Sequence, residues 1–174
     1  MTRTRSITLL ASATVLVLAT SALAGCGSGG SNATGSSAPP KTADGQPATF
    51  GVANESLGEI LVDSRGRTLY LFRRDSGTKS ACAGACAIEW PPLRATGKPT
   101  VGSGAAASSV ATSARSDGKP QVTYNGHPLY LFSGDQKPGD TNGEGVNAFG
   151  GLWYALSSAG NQTVGSAPTP AIGY

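Results

Sequence analysis

Two aspartates at matching places in a repeated phrase, a closely spaced cysteine pair and one histidine are the residues of this chain that could do chemistry. Gly66-Arg-Thr-Leu-Tyr-Leu-Phe-Arg-Arg-Asp75 recurs about 60 positions later as Gly126-His-Pro-Leu-Tyr-Leu-Phe-Ser-Gly-Asp135. Asp75 and Asp135 could serve as the carboxylate pair of a hydrolase acting on envelope polymers. Such a pair needs unlike environments, because its acid and base must hold different pKa values, and an exact duplication tends to make them alike. The favoured role is structural: each carboxylate accepts backbone N–H groups of the turn ending its strand, or holds a buried tyrosine hydroxyl.

Cys82 and Cys86 are the only thiols in the part of the chain expected to fold. On a helical turn, four residues advance the chain about 6 Å, inside the Cα separation that a disulfide tolerates. A structural disulfide is the favoured reading for paired cysteines of an exported protein. The alternative is a Cu(I) or thiol-redox site of Cys82, Cys86 and His127, the sole histidine, since two thiolates and an imidazole suit that ion. The Cys-x3-Cys spacing with a distant histidine resembles the copper-binding pattern of cytochrome oxidase assembly proteins. This chain lacks the proline that follows the second cysteine there, and shows no alternating β-α pattern. Three ligands cannot close a structural zinc site, and no Cys-x2-Cys-His haem attachment is present. Nor is there a Gly-x-Ser-x-Gly elbow, a phosphate loop or a His-Glu-x-x-His pair. No catalytic residue and no cofactor is expected, copper being the alternative.

Trp90-Pro91-Pro92 and Gly150-Gly151-Leu152-Trp153-Tyr154 read as closing strands. Their aromatics are expected to cap the core against Phe72 and Phe132. The functional alternative is an exposed platform for a glycan or peptide.

The elements that would position these residues form an all-β domain of two tandem repeats of about 60 residues. Repeat one covers 48–100 and repeat two 106–160, within a folded part of 48–174. Each repeat reads as a three- to four-stranded antiparallel meander with a short irregular or helical excursion, and the two pack with pseudo-twofold symmetry. In the first, strands are expected over Thr49–Ala53, Glu59–Asp63 and Thr68–Phe72; in the second, over Ser109–Ala114, Pro120–Tyr124 and Pro128–Phe132. Asn125-Gly126 between two apolar runs is a strong hairpin signal, because both turn positions want positive φ. The best helical candidate is Ala81 to Glu89. Alternation puts Tyr70 and Phe72 on one face of their strand and Leu69 and Leu71 on the other, and likewise for Tyr130, Phe132, Leu129 and Leu131. One meander is too small to be stable alone, a physical reason for duplication.

The phrases Tyr70-Leu-Phe-Arg-Arg-Asp75 and Tyr130-Leu-Phe-Ser-Gly-Asp135 resemble the Tyr-x4-Asp motif that defines the bacterial secreted-repeat lipoproteins. Cys82-Ala-Gly-Ala-Cys86 with Trp90-Pro-Pro-Leu93, and Asn147-Ala-Phe-Gly-Gly-Leu-Trp153-Tyr154, extend the resemblance in the family's order. It implies an envelope lipoprotein of two repeats. The family is known by its repeat and not by an activity, so it supplies no catalytic residues.

Residues 1–25 have the parts of an export signal: Arg3 and Arg5, an apolar run from Ile7 to Leu23, and small residues at the end. Leu23-Ala24-Gly25-Cys26 resembles the lipobox of bacterial lipoproteins, which implies cleavage before Cys26 and lipidation there. Two or three acyl chains would make that anchoring stable. Residues 26–47 then form the lipidated N-terminus and a tether, whose Gly, Ser, Ala, Thr and Pro composition predicts disorder. The chain has 13 Lys and Arg against 10 Asp and Glu, and two of the basic residues lie in the signal. A nearly neutral exported domain has no electrostatic case for nucleic acid. The expectation is a monomer on the outer face of a membrane, binding an envelope protein or glycan, or acting as a scaffold.

Overall fold

The computed structural model describes residues 47–163. The expected export signal, Cys26 and nearly all of the tether lie outside them. Nine short strands, one five-residue helix and a 3-10 turn (Ala107–Ser109) are the regular elements of the described part. Strands β1 (Thr49–Glu55) and β2 (Gly58–Asp63) form a hairpin, which β4 (Thr100–Val101) extends by pairing parallel to β1. β5 (Val110–Ala114), β6 (Pro120–Tyr124) and β7 (His127–Pro128) form the matching antiparallel sheet. β3 (Tyr70–Phe72) pairs with β9 (Gly151–Ala155), which also pairs with β8 (Asn147–Ala148). The described part is therefore built of small sheets, mostly antiparallel, with an antiparallel hairpin opening each repeat.

The turns follow the residues that their backbone needs. Asn125 and Gly126 have φ of 48° and 80°, so the hairpin between β6 and β7 takes the left-handed conformation at both positions. The helical excursion shrinks to α1 (Ala85–Glu89), which carries Cys86 inward and ends at Trp90.

The repeats are joined by exchanged closing strands. Trp90–Leu93 of the first repeat pairs with the second: Leu93 N–H donates to Leu129 O at 2.8 Å, and its carbonyl accepts from Val122 N–H at 2.8 Å. Trp153–Leu156 of the second repeat returns the exchange. Leu156 N–H donates to Leu69 O at 3.0 Å and its carbonyl accepts from Leu61 N–H at 2.8 Å. At the centre, Tyr70 and Tyr130 face each other and exchange both backbone bonds, at 2.8 and 3.0 Å. That is the narrow, doubly bonded pair of an antiparallel ladder, and it relates the two halves symmetrically. The expected strands are present with two shortened: Thr68–Phe72 is reduced to β3, and Pro128–Phe132 to β7 and a bridge at Tyr130. Each closing segment completes the other repeat's sheet.

Alternation along the motif strands divides the interior into two clusters. Leu69, Leu71, Leu129 and Leu131 face Phe50, Leu61, Leu93, Val122, Tyr124 and Leu156. Tyr70, Phe72, Tyr130, Trp90, Trp153 and the two cysteines occupy the opposite side. The motif strands are thus buried on both faces, which is why they read as continuous apolar runs.

Candidate functional site

The aromatic residues kept identical between the repeats converge on the second cluster. Trp90 and Trp153 lie parallel, with centroids 3.9 Å apart and planes 7° from each other. Phe72 stacks on the outer face of Trp153 at 4.0 Å, and Phe132 on that of Trp90 at 4.2 Å. Four rings therefore form one pile, with each tryptophan covered by the phenylalanine of the other repeat. Tyr70 meets Trp90 edge-on at 5.5 Å, and Tyr130 meets Trp153 at 5.1 Å. Both tryptophans have 0% exposure, so they are core residues packed on Phe72 and Phe132 and not an exposed platform.

Each tyrosine hydroxyl is held by the acid of the other repeat. Tyr70 donates to Asp135 Oδ2 at 2.7 Å, and Tyr130 donates to Asp75 Oδ2 at 2.8 Å. The second oxygen of each acid caps the loop beyond its own strand: Asp75 Oδ1 accepts from Ala81 N–H and Asp135 Oδ1 from Asn142 N–H. Each carboxylate thus both ends a turn and secures a buried tyrosine, but the tyrosine is the distant one. Burial raises the pKa of both acids, Asp75 from 3.8 to about 6, against the lowering effect of its bonds to Ala81 and Tyr130. It also raises both tyrosines above the usual phenol range, reinforced by the carboxylate beside each. As a hydrolytic pair, Asp75 and Asp135 would have to face one substrate; each is engaged instead by a different tyrosine.

The copies differ around Asp75. The Tyr130 hydroxyl, whose one proton goes to Asp75, accepts from Ser80 Oγ at 2.7 Å, and Ser80 Oγ in turn accepts from Arg115 Nη1 at 2.8 Å. Arg115 is buried, and it also donates to Gln121 Oε1 at 2.7 Å and to the Cys82 carbonyl at 2.5 Å. It ties the second repeat's hairpin to the first repeat's excursion. In sequence Arg115 borders the Ser116-Asp117-Gly118 turn and looks like a surface residue; no local pattern signals its burial. On the other side, Tyr70 accepts from Gly143 N–H at 3.3 Å, where no side chain fits. A Cβ on Gly143 would lie 2.8 Å from the Tyr70 ring and 2.9 Å from Trp90.

Cys82 and Cys86 form a disulfide with Cα atoms 5.3 Å apart. The bond is buried, with Cys82 1% and Cys86 5% exposed. Sulfurs bonded to each other are not thiolate ligands, and no three His, Cys, Asp or Glu side chains converge on a metal position among the described residues. His127 sits in β7, half-buried; desolvation and then the charge of Arg73 lower its pKa, so it is neutral at physiological pH.

A groove of about 520 Å³ lies elsewhere, lined by Ala95, Lys98, Val101, Val110, Ala111 and Thr112 among others. β4 and β5, whose residues line it, are each the outer strand of a sheet. Its residues are small and mostly apolar, with Thr112 and Lys98 the polar side chains. Sequence reading missed it because it arises where two distant sheet edges meet.

No helix of the described residues is long and apolar enough to cross a membrane. Neither a curated protein nor a solved structure matches the chain. A family model described as a secreted repeat of unknown function matches residues 51–94 and again residues 111–157. Those two spans contain the motif strands whose tyrosines and acids are exchanged, and the chain belongs to this family of secreted repeats.

Proposed function

We propose that this chain is a lipid-anchored cell-envelope protein that works by binding or scaffolding, not by catalysis. The observation that carries this reading is the reciprocal pairing of Tyr70 with Asp135 and Tyr130 with Asp75, which engages the duplicated polar groups with one another. The apolar run Ile7–Leu23 followed by Leu23-Ala24-Gly25-Cys26 supports anchoring through a lipid on Cys26. The groove between β4 and β5 supports binding. Open sheet edges offer unpaired backbone groups to an added strand, and small side chains leave room for it. With no aromatic or acidic residue in its lining, the groove suits an extended segment of an envelope protein better than a glycan.

The experiment has two arms. Cys26→Ala should abolish labelling by an alkynyl fatty acid and release folded protein from the membrane fraction. A photo-crosslinking amino acid at Ala111 should yield one discrete adduct in cells, lost when Thr112 becomes Arg. Unlabelled wild-type protein would refute the anchor. Absence of any Ala111 adduct, with efficient crosslinking controls, would refute the groove as the binding surface.

A further inference from the structure

Four oxidisable rings lie in successive contact in the core: Tyr70, Trp90, Trp153 and Tyr130. Successive centroids are 5.5, 3.9 and 5.1 Å apart. At each end of the series a tyrosine O–H points at a carboxylate oxygen, 2.7 Å away at Tyr70 and 2.8 Å at Tyr130. A hydroxyl buried for structure alone needs only an acceptor, and a backbone carbonyl suffices: Tyr124 donates to Ser158 O at 2.8 Å. An ionisable carboxylate is a more expensive partner to bury. Both repeats nonetheless place one there, while the loops around them have diverged in sequence.

We propose that Tyr70, Trp90, Trp153 and Tyr130 form a one-electron relay that quenches oxygen-centred radicals at the envelope, with Asp135 and Asp75 accepting the phenolic protons. Oxidising a phenol makes its proton strongly acidic, so a tyrosine gives up an electron readily only where a base can take that proton. Asp135 and Asp75 are those bases. The tryptophans have no such partner: Trp153 Nε1 donates to the Ala148 carbonyl at 3.3 Å, and Trp90 Nε1 has no acceptor among the described residues. An electron hole on the stacked indoles therefore keeps its proton and passes on to a tyrosine.

The steps balance. An alkoxyl or peroxyl radical at the surface takes one electron from the relay and one proton from solvent, becoming an alcohol or hydroperoxide. The hole migrates to Tyr130 or Tyr70, whose O–H bond breaks as its proton moves to the facing carboxylate. A neutral phenoxyl and a carboxylic acid remain. A small thiolate then supplies one electron, the carboxylic acid returns its proton, and the phenol and carboxylate are restored with a thiyl radical released. Asp75 is less buried than Asp135, so the Tyr130 end is the wetter one and the better placed to meet a reductant.

The test uses the purified, disulfide-intact protein, oxidised by flash-quench with a ruthenium(II) trisbipyridine sensitiser and persulfate and read by electron paramagnetic resonance. The expected result is a neutral tyrosyl signal that outlives the one in the urea-unfolded chain. It should be lost in Tyr70→Phe/Tyr130→Phe, leaving a tryptophanyl signal, and kept when Tyr124, Tyr154 and Tyr174 are changed to Phe. Asp75→Asn should shorten its life at the Tyr130 end. A tyrosyl signal unchanged in Tyr70→Phe/Tyr130→Phe would overturn the proposal. If that variant does not fold, the Tyr124→Phe/Tyr154→Phe/Tyr174→Phe variant decides, since only Tyr70 and Tyr130 then remain: a tyrosyl signal kept there supports the relay, and its loss refutes it.

Discussion

The Tyr70 hydroxyl of the first repeat donates to Asp135 of the second at 2.7 Å, and Tyr130 reciprocates with Asp75 at 2.8 Å. A tyrosine and the acid five residues after it are therefore not partners, although sequence places them side by side. Together with the exchanged closing strands, this makes each repeat depend on the other.

Neither repeat should fold by itself. A fragment of residues 47–103 would lack the Trp153–Leu156 strand that pairs with Leu61 and Leu69, and one of residues 104–163 would lack Trp90–Leu93. Two- or three-stranded pieces without a covered face are marginal at best. Each fragment should be unfolded by circular dichroism when alone, and mixing the two should restore a one-to-one complex with native spectra.

Trp90→Ala and Trp153→Ala should cost alike, about 3–5 kcal/mol each, although the residues belong to different repeats. Each ring is fully buried between the other tryptophan and a phenylalanine. Urea unfolding measures this. A small loss at either position would mean that the pile is not the centre of the core.

Gly143→Ala should destabilise by about 1–3 kcal/mol, the usual range for forcing extra volume into a packed core. Its Cβ would press on the rings of Tyr70 and Trp90, both buried and unable to retreat. Its effect should be seen first in the near-ultraviolet circular dichroism of those rings.

Stability should depend on pH with the sign of a buried acid. Asp75 holds its proton more tightly folded than unfolded, since burial raises its pKa from 3.8 to about 6. Between these values the folded state binds more protons, so its stability falls as pH rises from about 4 to about 6 and is level above. Asp135 is shifted in the same direction. The melting temperature should therefore increase on acidification from neutral to mildly acidic pH, and Asp75→Asn should flatten part of that slope. A melting temperature that falls over this interval would contradict the burial of these acids.

Reduction of the Cys82–Cys86 bond should lower stability by only about 2 kcal/mol, because the loop it closes is short. The domain should still melt cooperatively after reduction, with its β-rich spectrum kept. Complete unfolding would show that the excursion carries more of the core than its two buried sulfurs suggest.

Much of this was legible in the residues. Alternation in Leu-Tyr-Leu-Phe placed leucines and aromatics on opposite faces, and Asn125-Gly126 fixed a hairpin through its demand for positive φ. The cysteine spacing favoured a disulfide. What could not be read was pairing between distant strands. Trp90–Leu93 has the same apolar pattern whether it closes its own sheet or its neighbour's, so the exchange leaves no trace in periodicity. The same holds for Asp75 and Asp135, which were expected to cap turns or hold a tyrosine: both roles are present, but nothing local names which tyrosine. Arg115 was hidden because its burial comes from acceptors on Ser80 and Cys82, more than 30 positions away.

The most direct test is a double-mutant cycle. Tyr70→Phe and Asp135→Asn should each destabilise the protein, and their combination should reveal a coupling of about 0.5–3 kcal/mol, as for residues in direct contact. The cycle of Tyr70→Phe with Asp75→Asn should show coupling near zero. Additivity between Tyr70 and Asp135, with coupling instead between Tyr70 and Asp75, would contradict the exchange of tyrosines and acids between the repeats.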